Sequence, residues 1–204
     1  MSKITKLEQQ KKDKKRFNLF IDGEFFLGVD IDTVVAFNLT VDREIGTKEL
    51  NDIVILAEKN TALNKSLNYI SRSRKTKKQV KEYLQNKEYS NEIINFVLEK
   101  LIDYKFIDDL EYSKAYIRSY QNKKGKNAIE RDLRLKGIDF NLIDKALDEE
   151  LSSQDFAVLD IAKKYMKNRE LSRENLAKLY RHILSKGFTY EQASTAVSFI
   201  KGDE

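Results

Sequence analysis

Cysteine and proline are absent from this 204-residue chain, and histidine occurs once, at His182. Without cysteine there are no disulfides, no thiolate nucleophile and no thiolate metal site, a composition suited to a reducing compartment. One imidazole does not build a His–carboxylate hydrolase or a histidine metal centre, and His182 sits inside a helical pattern as a structural or surface residue. Zero Pro and seven Gly leave few breaks, which favours long helices joined by short turns. No apolar run approaches the length of a membrane span, and the first residues lack the apolar core of a secretory signal. The expectation is a cytoplasmic protein.

What the chain has in abundance is charge, 35% of residues, against 41% hydrophobic residues and a mean hydropathy of -0.60. That apolar content supports a packed core beneath a strongly solvated surface. The formal charge of +5 equals the excess in residues 1–16, where seven Lys/Arg stand against Glu8 and Asp13. The remainder is balanced, so the first 16 residues read as a basic flexible tail. They lead to RFNLFIDGEFFLGV at 17–30, where Asp22-Gly23 suits the positive φ pair of a tight hairpin turn. Residues 31–39 and 47–60 follow as helices.

From residue 61 onward a unit of about fifty residues recurs three times. YLQNKEYSNEIINFVL (83–98), DLRLKGIDFNLIDKAL (132–147) and HILSKGFTYEQASTAV (182–197) align on Tyr89, Ile138 and Phe188. The alignment superimposes Leu84/Leu133/Ile183, Val80/Ile129/Leu179 and Leu98/Leu147/Val197. Each copy shows three helical segments: 62–71, 77–87 and 91–104; 109–122, 127–136 and 140–150; 153–168, 173–185 and 190–200. Thr76…Gln79 and Thr189…Gln192 match a capping box at helix starts. Gly137 and Gly187 stand where the second helix must pass through the left-handed region before the third. The first unit has Glu88 there, so either Asn86 takes that conformation or the turn is looser.

These features give an all-α fold of three tandem three-helix repeats in an elongated curved array, with a small N-terminal β-hairpin and helix segment. The divisions are 1–16 (tail), 17–60 (hairpin plus helices), 61–107, 108–151 and 152–204 (repeats one to three). Such arrays present surfaces, and no phosphate-cradling loop or catalytic set is present; the reading is not an enzyme, with no cofactor and no metal. Asp108-Asp109 has a cation-binding reading, but two carboxylates at a helix start also cap it, which is the simpler account.

Charge alternates in step with the repeat. Segments 65–87, 118–136 and 163–186 hold eight, seven and eight Lys/Arg against one, two and two acidic residues, whereas 88–111 and 139–160 each hold seven acidic residues. Runs of charge are also ordinary on solvated helix faces, yet three alternations in register point to a binding role. The candidate partner- or DNA-binding cations are Arg72, Arg74, Lys75, Lys77 and Lys78; Lys123, Lys124, Lys126, Arg131 and Arg134; and Arg169, Arg173 and Arg181. The first two groups surround helix starts, where free N–H groups and Lys/Arg suit phosphates or carboxylates. Tyr116, Tyr120 and Tyr180 lie near them, as half-buried core residues or as surfaces for stacking bases.

ALNKSLNYISRSRKTKKQVKEYL (62–84), YKFIDDLEYSKAYIRS (104–119) and KKGKNAIERDLRLKGID (123–139) together resemble the RecX family of bacterial recombination regulators. The resemblance rests on Ala62, Leu63, Tyr69 and Ile70; on Phe106, Ile107, Asp108, Asp109 and Tyr116; and on Lys124, Gly125, Ile129, Leu133, Lys136, Gly137 and Ile138. Lys105 departs from it, replacing a small residue before the aromatic. The resemblance implies a monomer that binds RecA and the RecA-DNA filament, restrains its ATPase and strand exchange, and makes weak direct contact with single- or double-stranded DNA. The alternative is a DNA-binding protein acting independently of RecA, using LSKGFTYEQA (184–193) as a helix-turn-helix.

Overall fold

A computed structural model describes residues 1–202. The chain forms two compact units, one of residues 1–73 with 83–103 and the other of 74–82 with 104–204.

The first unit begins with strands β1 (Ser2–Gln9), β2 (Arg16–Ile21) and β3 (Glu24–Asp30), then helix α1 (Ile31–Ala36) and the short strand β4 (Glu44–Ile45). They make a four-stranded antiparallel sheet in the order β3-β2-β1-β4. The hairpin expected at 17–30 is present, and both turn residues take positive φ, Asp22 at 50° and Gly23 at 91°. Residues 2–9 are not a loose tail: they add a strand between β2 and β4. Ile4 is fully buried and Leu7 packs against the same core, while Lys3, Thr5, Lys6 and Glu8 remain exposed. That spacing hides a strand beneath a basic composition, because only one side of such a strand must be apolar. The core joins Leu19, Val29, Leu39 and Ile45 to Ile53 and Ala57.

Ile53 and Ala57 belong to α2 (Thr47–Ser71), a single helix of 25 residues where the sequence suggested two. Nothing between 58 and 64 breaks it, since Asn60 and Thr61 have modest helix propensity but are neither Gly nor Pro. Helix α3 (Lys77–Gln85) and helix α4 (Asn91–Asp103) complete the first three-helix set. Glu88 itself adopts the left-handed conformation, φ 62°, and Asn86 does not.

The second unit contains the start of α3 and helices α5 (Asp109–Tyr120), α6 (Lys126–Leu135), α7 (Phe140–Glu150), α8 (Asp155–Met166), α9 (Arg173–Ser185) and α10 (Tyr190–Lys201). Two cores follow the repeat. Ile117, Ile129, Leu133, Ile138, Ile143, Ala146 and Leu147 fill one; Val158, Ala162, Leu179, Ile183, Phe188, Ala193 and Ala196 fill the other. The superimposed positions Val80, Ile129 and Leu179 are all fully buried, as are Leu84, Leu133 and Ile183. The protein is therefore mainly helical, with three-helix sets that follow a small N-terminal sheet along the chain.

Candidate functional site

The second helix of each set carries most candidate cations, and its beginning is where the sets are joined. At the start of α3, Thr76 and Gln79 form the expected reciprocal cap, with Gln79 N–H donating to Thr76 Oγ1 (3.3 Å) and Thr76 N–H to Gln79 Oε1 (3.1 Å). Thr76 Oγ1 also donates to the Lys136 carbonyl (2.8 Å), and Lys78 Nζ to the Leu135 carbonyl (3.3 Å). One period later, Gly125 N–H donates to the Lys186 carbonyl (2.9 Å) and Asn127 N–H to the Gly187 carbonyl (3.2 Å). Each helix start thus receives the carbonyl end of the second helix of the next set, through side chains at α3 and through backbone N–H groups at α6.

This docking corrects the view of these helix starts as open anion sites. Lys77 N–H donates to Asp109 Oδ1 (2.9 Å) and Lys126 N–H to Gln154 Oε1 (3.0 Å), so the chain's own side chains occupy the first-turn donors. Burial pushes the Asp109 carboxyl above its ordinary pKa, against the opposing pull of the Lys77 N–H and charge. Asp108 caps α5 by accepting from Leu110 and Glu111 N–H (both 3.0 Å). The Asp108-Asp109 pair therefore serves helix ends, and no cluster of three metal-ligating side chains exists among the described residues.

Several candidate cations are likewise engaged. Lys124 Nζ lies 2.5 Å from Asp132, 3.3 Å from the Tyr116 hydroxyl and 4.9 Å from the Tyr120 ring centre. Lys136 lies over Tyr112 and Tyr116, so both lysines contact a tyrosine ladder along α5. Burial would raise the Asp132 carboxyl, but hydrogen bonds from Lys124 and from Tyr116 (2.9 Å) outweigh it and hold the group below its usual value. Tyr116 and Tyr120 are thus half-buried structural rings. Arg134 pairs with Glu130 and stacks on Phe140 (5.1 Å), Arg131 is 3.9 Å from Asp132, and Arg169 binds the Tyr165 carbonyl and lies over its ring. His182 also stacks on Tyr165, with 4.7 Å between ring centres. Burial, then the charges of Lys186 and Arg169, lower its pKa below 6.5.

The cations that remain exposed with no carboxylate in ion-pair distance among the described residues are Arg72, Arg74, Lys77, Lys123, Lys126, Arg173 and Arg181. Arg74 and Lys75 line a cleft of about 430 Å³ with Lys105, Phe106, Asp108, Glu111 and Tyr112. Phe106 is 57% exposed there, an aromatic side chain beside three cations. Lys105 takes a left-handed φ of 59°, which explains why a small residue suits that position. In the sequence, Phe106 and Lys105 stand out only through the family pattern. Arg173 and Arg181 line a separate groove between α9 and α10.

A small sheet followed along the chain by three-helix sets that carry dispersed exposed cations defines a mainly helical repeat protein. Comparisons with known proteins give the lineage. The family models for the N-terminal domain of regulatory protein RecX and for the first and second RecX three-helix domains match residues 2–46, 62–101 and 108–147. Regulatory protein RecX of Clostridium tetani is 34% identical, with 97% of this chain and 94% of that one aligned. The Bacillus subtilis regulatory protein RecX is 33% identical over 97% of this chain and 77% of its own length. A crystal structure of regulatory protein RecX superposes with a TM-score of 0.77 at 27% identity over the whole of both chains; that of RecX from Lactobacillus salivarius gives 0.62 at 28% over 71% of this chain and 97% of that one. The chain belongs to the RecX family.

Proposed function

We propose that this protein is a non-enzymatic regulator that binds RecA and its DNA filament and restrains ATP hydrolysis and strand exchange. The observation that carries this reading is the repeat-phased set of exposed cations around α3 and α6, separated by acidic helices such as α7, which has Asp144, Asp148, Glu149 and Glu150 against Lys145. Alternating signs complement a protein–DNA filament lining better than a uniformly basic surface, which coats any nucleic acid. Helix α10, which the helix-turn-helix alternative would lay in a major groove, carries Glu191 against Lys201 and so has no basic face for DNA, which favours this reading over an independent helix-turn-helix reader. No helix among the described residues is long and apolar enough to cross a membrane.

The test is RecA's DNA-dependent ATPase with increasing amounts of this protein. Inhibition is expected, and unchanged ATPase over a wide concentration range overturns the proposal. Reversing Arg72, Arg74, Lys77 and Lys126 to Glu should weaken filament binding and flatten its salt dependence by about one unit of log–log slope for each phosphate left unneutralised. Each exposed change should cost folding only about 0.5 kcal/mol or less.

A further inference from the structure

The third three-helix set departs from the other two on one outward face. Lys77, Lys126 and Leu176 are equivalent by the repeat, as are Lys78, Asn127 and Ala177, and Lys81, Glu130 and Tyr180. All six residues in the first two sets are polar, and all three in the third are aliphatic or aromatic. With Val197 they floor a groove of about 630 Å³ between α9 and α10, bordered by Arg173, Arg181 and Lys201 and, among the described residues, by no carboxylate. The repeat partners of Val197, Leu98 and Leu147, are 4% and 3% exposed, whereas Val197 is only partly covered. Tyr180 and Val197 also pack against the core of the third set, but Leu176 and Ala177 do not, and an apolar patch with a charged border marks an interaction surface.

We propose that this groove binds an acidic amphipathic helix of a partner protein. An apolar ridge spaced i, i+3/i+4, i+7 would cover Leu176, Tyr180 and Val197, and flanking Glu or Asp would meet Arg173 and Arg181. Neither arginine has an ion-pair partner among the described residues; Arg181 Nε bonds only its own helix, at the Ala177 carbonyl (3.3 Å). Nucleic acid fits less well. Tyr180 supplies one ring but packs against the core of the set, Leu176, Ala177 and Val197 beside it offer no flat face for a base, and a phosphate would leave this aliphatic floor in water.

The experiment uses the full chain and a fluorescein-labelled helical peptide of about sixteen residues, with Leu on one stripe and Glu elsewhere. A peptide with Lys in place of Glu and a labelled oligothymidylate are the comparators, and no RecA is present, so the result is independent of filament regulation. The acidic peptide should bind, the basic peptide should not, and L176K/Y180E should weaken binding at least about tenfold. That variant installs the residues that the second set carries at these places, and because Tyr180 also packs against the core its thermal melt is read first. If it fails to fold, R173E/R181E serves instead, losing the acidic peptide and gaining the basic one. Undiminished peptide binding by the folded groove variants overturns the proposal. So does absence of acidic-peptide binding, including the case in which oligothymidylate binds the parent and not the variants, which would make the groove a nucleic-acid surface.

Discussion

The two junctions within the helical unit occupy the same place in the repeat but are made of different material. At the start of α3 the junction is through side chains: the Thr76 hydroxyl reaches the Lys136 carbonyl, and the stem of Lys78 lies under Gly137. At the start of α6 it is backbone on backbone, with Gly125 and Asn127 N–H donating to Lys186 and Gly187 carbonyls. A Cβ on Gly125 would collide with the Gly187 carbonyl, and one on Gly187 with Ala128. The side-chain junction has atoms that can move aside; the backbone junction does not. Glycine at 137 and 187 therefore answers two demands, a left-handed φ (80° and 86°) and a close neighbour. Glu88, at the equivalent turn of the first set, meets only the conformational demand.

The largest effect should come from Gly187→Ala or Gly125→Ala, which forces the backbone junction apart. Gly187→Ala adds left-handed strain to overpacking and should cost about 2–5 kcal/mol, read by chemical denaturation. Gly137→Ala should cost less, about 1–3 kcal/mol, because the nearest atoms its Cβ meets belong to the Lys78 side chain and not to backbone. Equal costs for Gly187→Ala and Gly137→Ala would erase the distinction between the junctions. Glu88→Gly should be neutral or stabilise by up to about 1 kcal/mol, as strain is relieved and offset by glycine's greater unfolded-state entropy. A cost of several kcal/mol there would mean that the Glu88 side chain has a structural role comparable to the turn glycines.

The smallest effect separates the second set from the third by pH. His182 has a folded pKa below its ordinary 6.5, so its contribution is complete above that pH and declines as pH falls below it. Asp132 is depressed relative to 3.8, so its contribution survives to lower pH and declines only as pH falls beneath that value. Between pH 7.5 and 5, His182→Phe should flatten the parent's loss of stability, and Asp132→Asn should leave that slope unchanged. Melts across this range check both.

The helical part was legible because several local signals agreed. Amphipathic stripes, the Thr76/Gln79 and Thr189/Gln192 caps and the turn glycines each place the same boundaries, and they are properties of neighbouring residues. Two N-terminal features were not. In β1 only Ile4 and Leu7 turn inward, and at 58–64 a helix continues through the weak formers Asn60 and Thr61, which neither Gly nor Pro accompanies. The candidate site was legible as a charge pattern and less so residue by residue. Whether Lys124 is free or tied depends on Asp132 and two tyrosine rings, and whether a helix start is open depends on carbonyls 60 residues away. The apolar groove was present in the aligned triplets 77/126/176, 78/127/177 and 81/130/180, which are visible only when outward positions are compared as carefully as inward ones.

The 60-residue separation between Thr76 and Lys136 also imposes an order in time. During synthesis at about 5–20 residues per second, the start of α3 waits roughly 3–12 s for the carbonyls that complete it. Its reciprocal Thr76–Gln79 cap is local and needs no such partner, so it can hold the first turn through that interval. Gly125 has no capping side chain, and its helix start must wait for Lys186 in the same way. The junction that is least forgiving of substitution is thus also the one without a local cap: Gln154, which takes the Lys126 N–H, follows 28 residues later and the carbonyls of Lys186 and Gly187 later still, which makes the stretch from Gly125 to Gly187 the vulnerable window of biogenesis.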